Sequence, residues 1–332
     1  MVESTPGLIA AFLLFVLVDV ATGGGWEQVS TVGLSLGVGP RASSHPQTLF
    51  AQDLLTEASR WEVSCSQQYA YDRIQMEGCT PKPGSACDRV VFDEFLTSQE
   101  VESLIHIAET GMAKAPGGAG PTILDINSGW VLASGSYAPV SIYRNGPLFT
   151  ADQYELYRDV TTRLKAAVSR AYDLESLYFT APTFITREAG DEAWAPQTMH
   201  DEYWHPHVDK NSTAHYDYSG LVYLSTQGEE FTDGMLQFLP NENLDCSSAF
   251  EDEPGPCKVT GDPDFEVAPR KGRLIIFGSG NENPHRVTRV TSGIRYVLSF
   301  WFTCDPAHVM KRFLDGRMHR HFGDEAEGGD EL

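Results

Sequence analysis

An α+β fold, a β-sandwich or barrel supported by N-terminal helices, is what this sequence predicts, and three observations predict it. Two segments, one following Thr97 and one spanning roughly 150–171, carry apolar residues at helical spacing. From about residue 178 the period shortens to brief strand-like runs. Turn residues separate those runs throughout, among them Pro182, Pro196, Gly228, Gly234 and Gly272. Helices followed by many short strands pack as sheet layers with the helices set to one side.

The first helix announces its start. Thr97-Ser98-Gln99-Glu100 is a capping box, in which the Thr hydroxyl and the Glu carboxylate satisfy each other's backbone donors. Val101, Leu104, Ile105 and Ala108 then define one apolar face. The second helix places Tyr157, Val160, Leu164, Ala167, Val168 and Ala171 on one side. Both stripes read as core packing and carry no chemistry. The strand candidates are 177–187, 220–225, 235–240, 273–279 and 294–303, and no repeat of 20 to 50 residues is visible.

A chain of 332 residues with 41% apolar and 21% charged residues is globular, and long enough for one large domain with appendages. Its formal charge of −22 excludes a nucleic-acid binder, which needs a basic stripe to displace phosphate counterions. The same acidity excludes docking on anionic lipid. Leu8 to Val18 is an unbroken apolar run, too short to span a membrane, where about 18 residues are needed. It reads as the core of a secretory signal, with Ala21-Thr22-Gly23 as a small-residue cleavage site, although the preceding segment holds Glu3 and no Lys or Arg. An uncleaved signal anchor is the alternative. The expected organisation is a signal peptide or anchor over 1–21, a linker over 22–60, and a Cys-rich segment over 61–90. A main domain follows over 91–305 with its core at 178–305, and then an acidic tail over 306–332.

None of the six cysteines forms a C-x-x-C pair, so they read as oxidised rather than metal-binding. Cys246 and Cys257 flank a loop rich in Asp, Glu, Gly and Pro and are expected to pair. Cys65, Cys79, Cys87 and Cys304 leave three pairings open. Asn211-Ser212-Thr213 is a glycosylation sequon, and the tail ends one residue away from a Lys-Asp-Glu-Leu retrieval signal. Together these features point to the endoplasmic reticulum lumen or the secretory pathway.

The densest chemical segment is Asp201-Glu202-Tyr203-Trp204-His205-Pro206-His207-Val208-Asp209. In an extended chain His207 and Asp209 face the same side, which supplies two ligands of a metal site. Alone this is weak, and a solvated polar loop accounts for it equally well. The third ligand is expected from a distant strand end, where His285 follows the strand RLIIF. Arg295 then opens a strand on which period two aligns Arg295, Val297, Ser299 and Trp301. An arginine pointing into an apolar barrel demands a carboxylate partner, which a guanidinium binds bidentately, and Ser299 adds a hydrogen bond to it. The sum is an iron facial triad with an acid-binding arginine. His200, His205 and His215 crowd the same stretch, but a facial triad takes two histidines, so they read as orienting or surface residues. Tyr203 and Trp204 are candidates for a substrate cleft wall, as well as for plain barrel packing.

H-x-D, a distant His, and Gly293-Ile294-Arg295-Tyr296 leading into Trp301-Phe302 resemble the 2-oxoglutarate and Fe(II)-dependent dioxygenases of the prolyl hydroxylase type. EGCTPK at 77–82, ILD at 123–125, DEYWHPHVDK at 201–210 and HRV at 285–287 carry the same likeness, over about 61 to 305. Asp233-Gly234 stands where that family usually has two glycines, and the Cys246–Cys257 loop looks like an insertion. The resemblance implies a double-stranded β-helix, or jelly roll, with Fe(II) bound by His207, Asp209 and His285. Arg295 would hold the distal carboxylate of 2-oxoglutarate with Ser299 assisting, and Tyr223 is a weaker candidate for the same carboxylate. L-ascorbate is implied as a further cofactor, molecular oxygen as co-reactant, and a protein or peptide as the substrate, hydroxylated on proline or lysine. A non-catalytic lumenal jelly-roll binding module is the runner-up, disfavoured because it has no need of the full set. A zinc hydrolase on the same ligands would leave Arg295 without a role.

Overall fold

The computed structural model describes residues 47–65, 79, 87–115, 117–180, 183–197, 201, 203–240, 244–245, 258–259 and 261–310. The chain begins with β1 (Gln47–Leu49), β2 (Ser59–Trp61), β3 (Arg89–Phe92) and helix α1 (Ser98–Met112). It continues through β4 (Gly120–Asp125), β5 (Trp130–Ala133), β6 (Val140–Ser141), helix α2 (Ala151–Tyr172), β7 (Tyr178–Phe179) and β8 (Phe184–Gly190). A single-turn helix α3 (Asp209–Ser212) precedes β9 (Tyr218–Tyr223), β10 (Phe231–Asp233), β11 (Leu236–Phe238), β12 (Leu244–Asp245) and β13 (Lys258–Val259). Last come β14 (Phe265–Val267), β15 (Leu274–Gly278), β16 (His285–Val287) and the long β17 (Val290–Thr303).

The strands form two main sheets. The larger runs β2-β3-β15-β9-β17-β8-β4-β5-β6, and the smaller runs β1-β14-β11-β16. Period-two alternation assigns each inner strand two jobs. Ile275 and Phe277 of β15 and Val297 of β17 join Leu236, Phe238, Phe265 and Val267 in a core between the sheets. Leu274, Ile276, Leu298, Phe300 and Phe302 point the other way, into a second core under the helices. Two sheets facing one another with helices behind one of them is the jelly-roll arrangement implied above.

Both helices start as their sequences dictate. Thr97 caps α1 and Thr150 caps α2, each with a complete capping box. Val101, Leu104 and Ala108 of α1 are buried as expected, with Ile107 taking the place expected of the half-buried Ile105.

Two boundaries differ from the sequence reading. Residues 47–61 are not linker: β1 pairs in parallel with β14, and β2 pairs with β3. The cause lies in Arg273, whose side chain is 0% exposed and pairs with Asp93 at 2.6 Å. Its guanidinium needs further acceptors, and the carbonyls of Phe50 (3.1 Å) and Asp53 (2.6 Å) supply them. Nor is the β core confined to 178–305, because β4 extends the larger sheet from β8 and carries β5 and β6. Disulfides join Cys65 to Cys87 and Cys79 to Cys304. The second ties the Cys-rich segment to the end of β17. Cys246 and Cys257 lie outside the described residues, as do 1–46 and 311–332. Among the described residues, no helix is long and apolar enough to cross a membrane.

Candidate active site

His207 and His285 are brought together by backbone. Each donates its N–H to the other's carbonyl at 2.9 Å, a single antiparallel bridge that extends the edge of the smaller sheet at β16. Asp209 follows two residues later as the first residue of α3. The Nε2 atoms of His207 and His285 lie 3.6 and 3.8 Å from the two carboxylate oxygens of Asp209. Ligand atoms of the three residues all fall within 4.8 Å of one another, and among the described residues no other group of three or more His, Cys, Asp or Glu does this.

Second partners fix how each group faces the site. Nδ1 of His207 donates to the carbonyl of His205 at 3.1 Å, and Nδ1 of His285 donates to that of Asn283 at 2.9 Å. A carbonyl only accepts, so Nδ1 carries the proton and both Nε2 lone pairs turn toward Asp209. Burial and the neighbouring His285 together lower the His207 pKa against the opposing pull of Asp209, which favours the neutral, metal-ligating imidazole. Two histidines and a carboxylate converging on one point are the donor set of a non-haem iron site.

A cavity of about 120 Å³ is lined by this triad and by one face of β17: Arg295, Val297, Ser299 and Trp301. The period-two alignment read from the sequence is therefore realised. Arg295 is 1% exposed. Its Nη1 donates to Oε2 of Glu188 at 2.8 Å, whereas its Nε and Nη2 are buried without a hydrogen-bond partner. Those two N–H groups share one edge of the planar guanidinium, the edge that a carboxylate binds side-on. The buried hydroxyl of Tyr223 has no hydrogen-bond partner either, and the Arg295 guanidinium carbon stands 5.5 Å from that ring's centroid. Burial pushes the Tyr223 hydroxyl up to about 12, so it stays a donor at neutral pH. Unpaired buried donors within reach of a cavity fit the end of a small dicarboxylate. Gly234 makes the packing possible: it sits at φ +70°, and a Cβ there would meet the Arg295 Cδ at 2.9 Å.

The remaining candidates divide. Ser299 lines the cavity with Arg295. The Tyr223 ring lies in the apolar core between the sheets. His205 gives its carbonyl to His207 and sets its ring 5.5 Å from that imidazole, and His215 stacks on His308 at 4.1 Å; neither joins the triad. His200 lies outside the described residues. Tyr203 accepts from the Val290 N–H at 3.0 Å, and Trp204 packs edge-on against Trp194 with Arg289 over its ring. The sequence reading missed Glu188 and Ser219. The strand expected to end at Arg187 runs on to Gly190, and the alternation Phe184, Thr186, Glu188 along β8 sets Glu188 directly opposite Arg295.

The family model for the 2OG-Fe(II) oxygenase superfamily matches residues 195–303, a span that contains the triad and Arg295. The 2-oxoglutarate and iron-dependent oxygenase domain-containing protein 3 of Rattus norvegicus is 37% identical over 254 residues, covering 74% of this chain and 71% of that protein. The chain belongs to the 2OG-Fe(II) oxygenase superfamily. Its human relative of the same name is 36% identical over 254 residues, covering 74% of this chain and 70% of that protein. Human prolyl 3-hydroxylase 1 is 28% identical over 237 residues, 66% of this chain but 29% of that protein. As a superfamily member, this chain is a 2-oxoglutarate-dependent dioxygenase of double-stranded β-helix fold. Glu188 lies N-terminal to the matched span.

Proposed function

We propose that this dioxygenase hydroxylates a protein side chain, proline or lysine, in the endoplasmic reticulum lumen or elsewhere in the secretory pathway. His207, Asp209 and His285 hold Fe(II) in this reading, and Arg295 holds the distal carboxylate of 2-oxoglutarate with Ser299 beside it. One observation carries it: a single cavity is lined by three converging ligand side chains and by a buried guanidinium with an unpaired edge. When bound, Fe(II) with 2-oxoglutarate and O₂ supplies the oxidation that inserts one oxygen atom into a substrate C–H bond, with succinate and CO₂ released.

The side chains of this protein do the rest. Ser219 and the two backbone carbonyls hold the ligands in orientation. Leu221, Leu236, Phe277, Val287 and Val297 give the cavity an apolar wall that keeps water from the reacting atoms. A protein substrate is supported by the likeness to a protein named prolyl 3-hydroxylase 1. The secretory location is supported by two disulfides, by the apolar run near the N-terminus and by the sequon at Asn211, which is exposed on α3.

The test is succinate release from 2-oxoglutarate with Fe(II) and O₂, with and without L-ascorbate, over a panel of proline- and lysine-containing peptides. Mass spectrometry should find +16 Da on one peptide class in step with succinate, with ascorbate prolonging turnover. Succinate formed at equal rate with no peptide modified across the panel counts against the substrate class. Glycosidase sensitivity of the cellular protein checks the location.

A further inference from the structure

We infer that Glu188 is a built-in competitor for the cosubstrate carboxylate at Arg295, and that 2-oxoglutarate enters the site together with one proton that Glu188 takes from solvent. The inference rests on the reading of Arg295 as the cosubstrate anchor.

Register makes the pair. Glu188 on β8 stands directly opposite Arg295 on β17, and the two side chains meet at 2.8 Å while 5% and 1% exposed. Both line the cavity that also holds the metal-ligand triad. In the free protein the charges cancel, one guanidinium against one carboxylate. The arriving end of a dicarboxylate brings a second negative charge to the unpaired Nε and Nη2 edge, and among the described residues no second uncommitted cation faces it. From β9, Tyr223 presents a neutral hydroxyl whose pKa burial raises to about 12. From the segment before His207, Tyr203 presents another phenol, raised by burial and by Glu188 itself. Arg273, whose carbonyl accepts from the Tyr223 N–H, is committed to Asp93. Arg289, near Tyr203, donates to the carbonyls of Asp191 and Trp194. Pro121 of β4, opposite Glu188 on its other side, has no ionisable group.

Two carboxylates sharing one buried guanidinium leave one negative charge uncompensated, and a buried acid in that position neutralises instead. Glu188 is the group disposed to do so. Burial already raises its pKa, and Arg295 is the principal influence holding it down. Once part of the guanidinium is given to 2-oxoglutarate, that restraint weakens. The balance is simple: the dianion and one proton enter together, and both leave when the cosubstrate is released unreacted. As the acid, Glu188 keeps its place in the cavity and bears no charge. Binding that requires the acid form weakens as pH rises above the pKa of Glu188 in the free protein, by up to about tenfold per pH unit.

The experiment uses the full chain loaded with redox-inactive Mn(II), so that the histidine ligands are already metal-bound and no turnover intervenes. Titration calorimetry with 2-oxoglutarate in buffers of contrasting ionisation heat, between pH 6.5 and 8.5, counts the protons. Wild type should take up about one proton per 2-oxoglutarate and bind more weakly as pH rises. Glu188→Gln keeps an oxygen acceptor for Nη1 without the charge. It should bind about ten- to hundredfold more tightly at the alkaline end, with affinity flat in pH, because a like charge on the same guanidinium is removed. Equal proton uptake in both proteins, or weaker binding by Glu188→Gln, overturns the proposal. Should that variant fail to fold, zero proton uptake by wild type overturns it alone. Failure of wild type to bind 2-oxoglutarate at all would instead remove the anchor reading on which it rests.

Discussion

The hydroxyl of Ser219 donates to Oδ2 of Asp209 across 2.6 Å and lies 2.7 Å from the hydroxyl of Ser279. The contact spans β9 and the start of α3, so the one carboxylate in the metal-ligand set is positioned by the larger sheet. Asp209 is buried, and its orientation depends on that donor. Ser219→Ala removes the bond with little loss of volume at a buried site. Metal affinity should fall about 10- to 100-fold, as for other residues that orient metal ligands. A Mn(II) titration followed by water-proton relaxation measures this, and unchanged affinity would free Asp209 from any dependence on Ser219.

His285→Ala tests the triad itself. His285 is 6% exposed, and Nδ1 is already held by Asn283, so its Nε2 has no task in the fold beyond facing Asp209. Iron content by elemental analysis should drop by on the order of a hundredfold in affinity while thermal unfolding stays cooperative. Full iron occupancy in this variant would end the ligand assignment. His207→Ala and Asp209→Ala should behave alike.

What the sequence revealed, and what it hid, follows from how far apart the cooperating residues lie. His207 and Asp209 are legible because strand alternation puts neighbours two apart on one face. Arg295 is legible because a charge on an apolar strand demands a partner. The sequence points to a cosubstrate carboxylate as that partner, and the structure adds a second, Glu188, 107 positions away, which only the β8–β17 register brings opposite. β1 was invisible for a different reason. It has three residues, too few to show a period, and its place is held by carbonyl acceptors that the buried Arg273 requires. Among Cys65, Cys79, Cys87 and Cys304 the pairing was likewise beyond reach, since three connectivities satisfy the same spacing.

The Cys79–Cys304 disulfide closes a loop with a sequence separation of 225 and fastens the Cys-rich segment to the last residues of the larger sheet. Both cysteines are buried. Loop-closure entropy predicts that Cys304→Ala lowers stability by up to about 5 kcal/mol. Denaturant titration of oxidised wild type against the variant reads the difference directly. Peptide mapping without reductant should recover Cys79–Cys304 and Cys65–Cys87, and would also decide the Cys246–Cys257 pairing expected from sequence. Recovery of Cys65 joined to Cys79 would contradict the fold at this point.

Arg295→Lys separates anchoring of the cosubstrate from metal binding. Lysine keeps the charge that Glu188 requires, whereas Arg295→Ala would strand a buried carboxylate and cost about 3–5 kcal/mol in stability, confusing the result. The ammonium is a point donor and cannot serve Glu188 through one nitrogen while offering a parallel pair of N–H groups to a second carboxylate. Losing one charge-assisted hydrogen bond, worth about 1.5–3 kcal/mol, predicts roughly a ten- to hundredfold rise in the apparent KM for 2-oxoglutarate. Iron affinity should be unchanged, because Arg295 is not among the three ligands. The two effects are read on the same preparation, KM by succinate release and iron by elemental analysis. A variant that binds and decarboxylates 2-oxoglutarate like wild type would show that the guanidinium fork is not the anchor. A variant that loses iron as well would place Arg295 in the support of the triad instead.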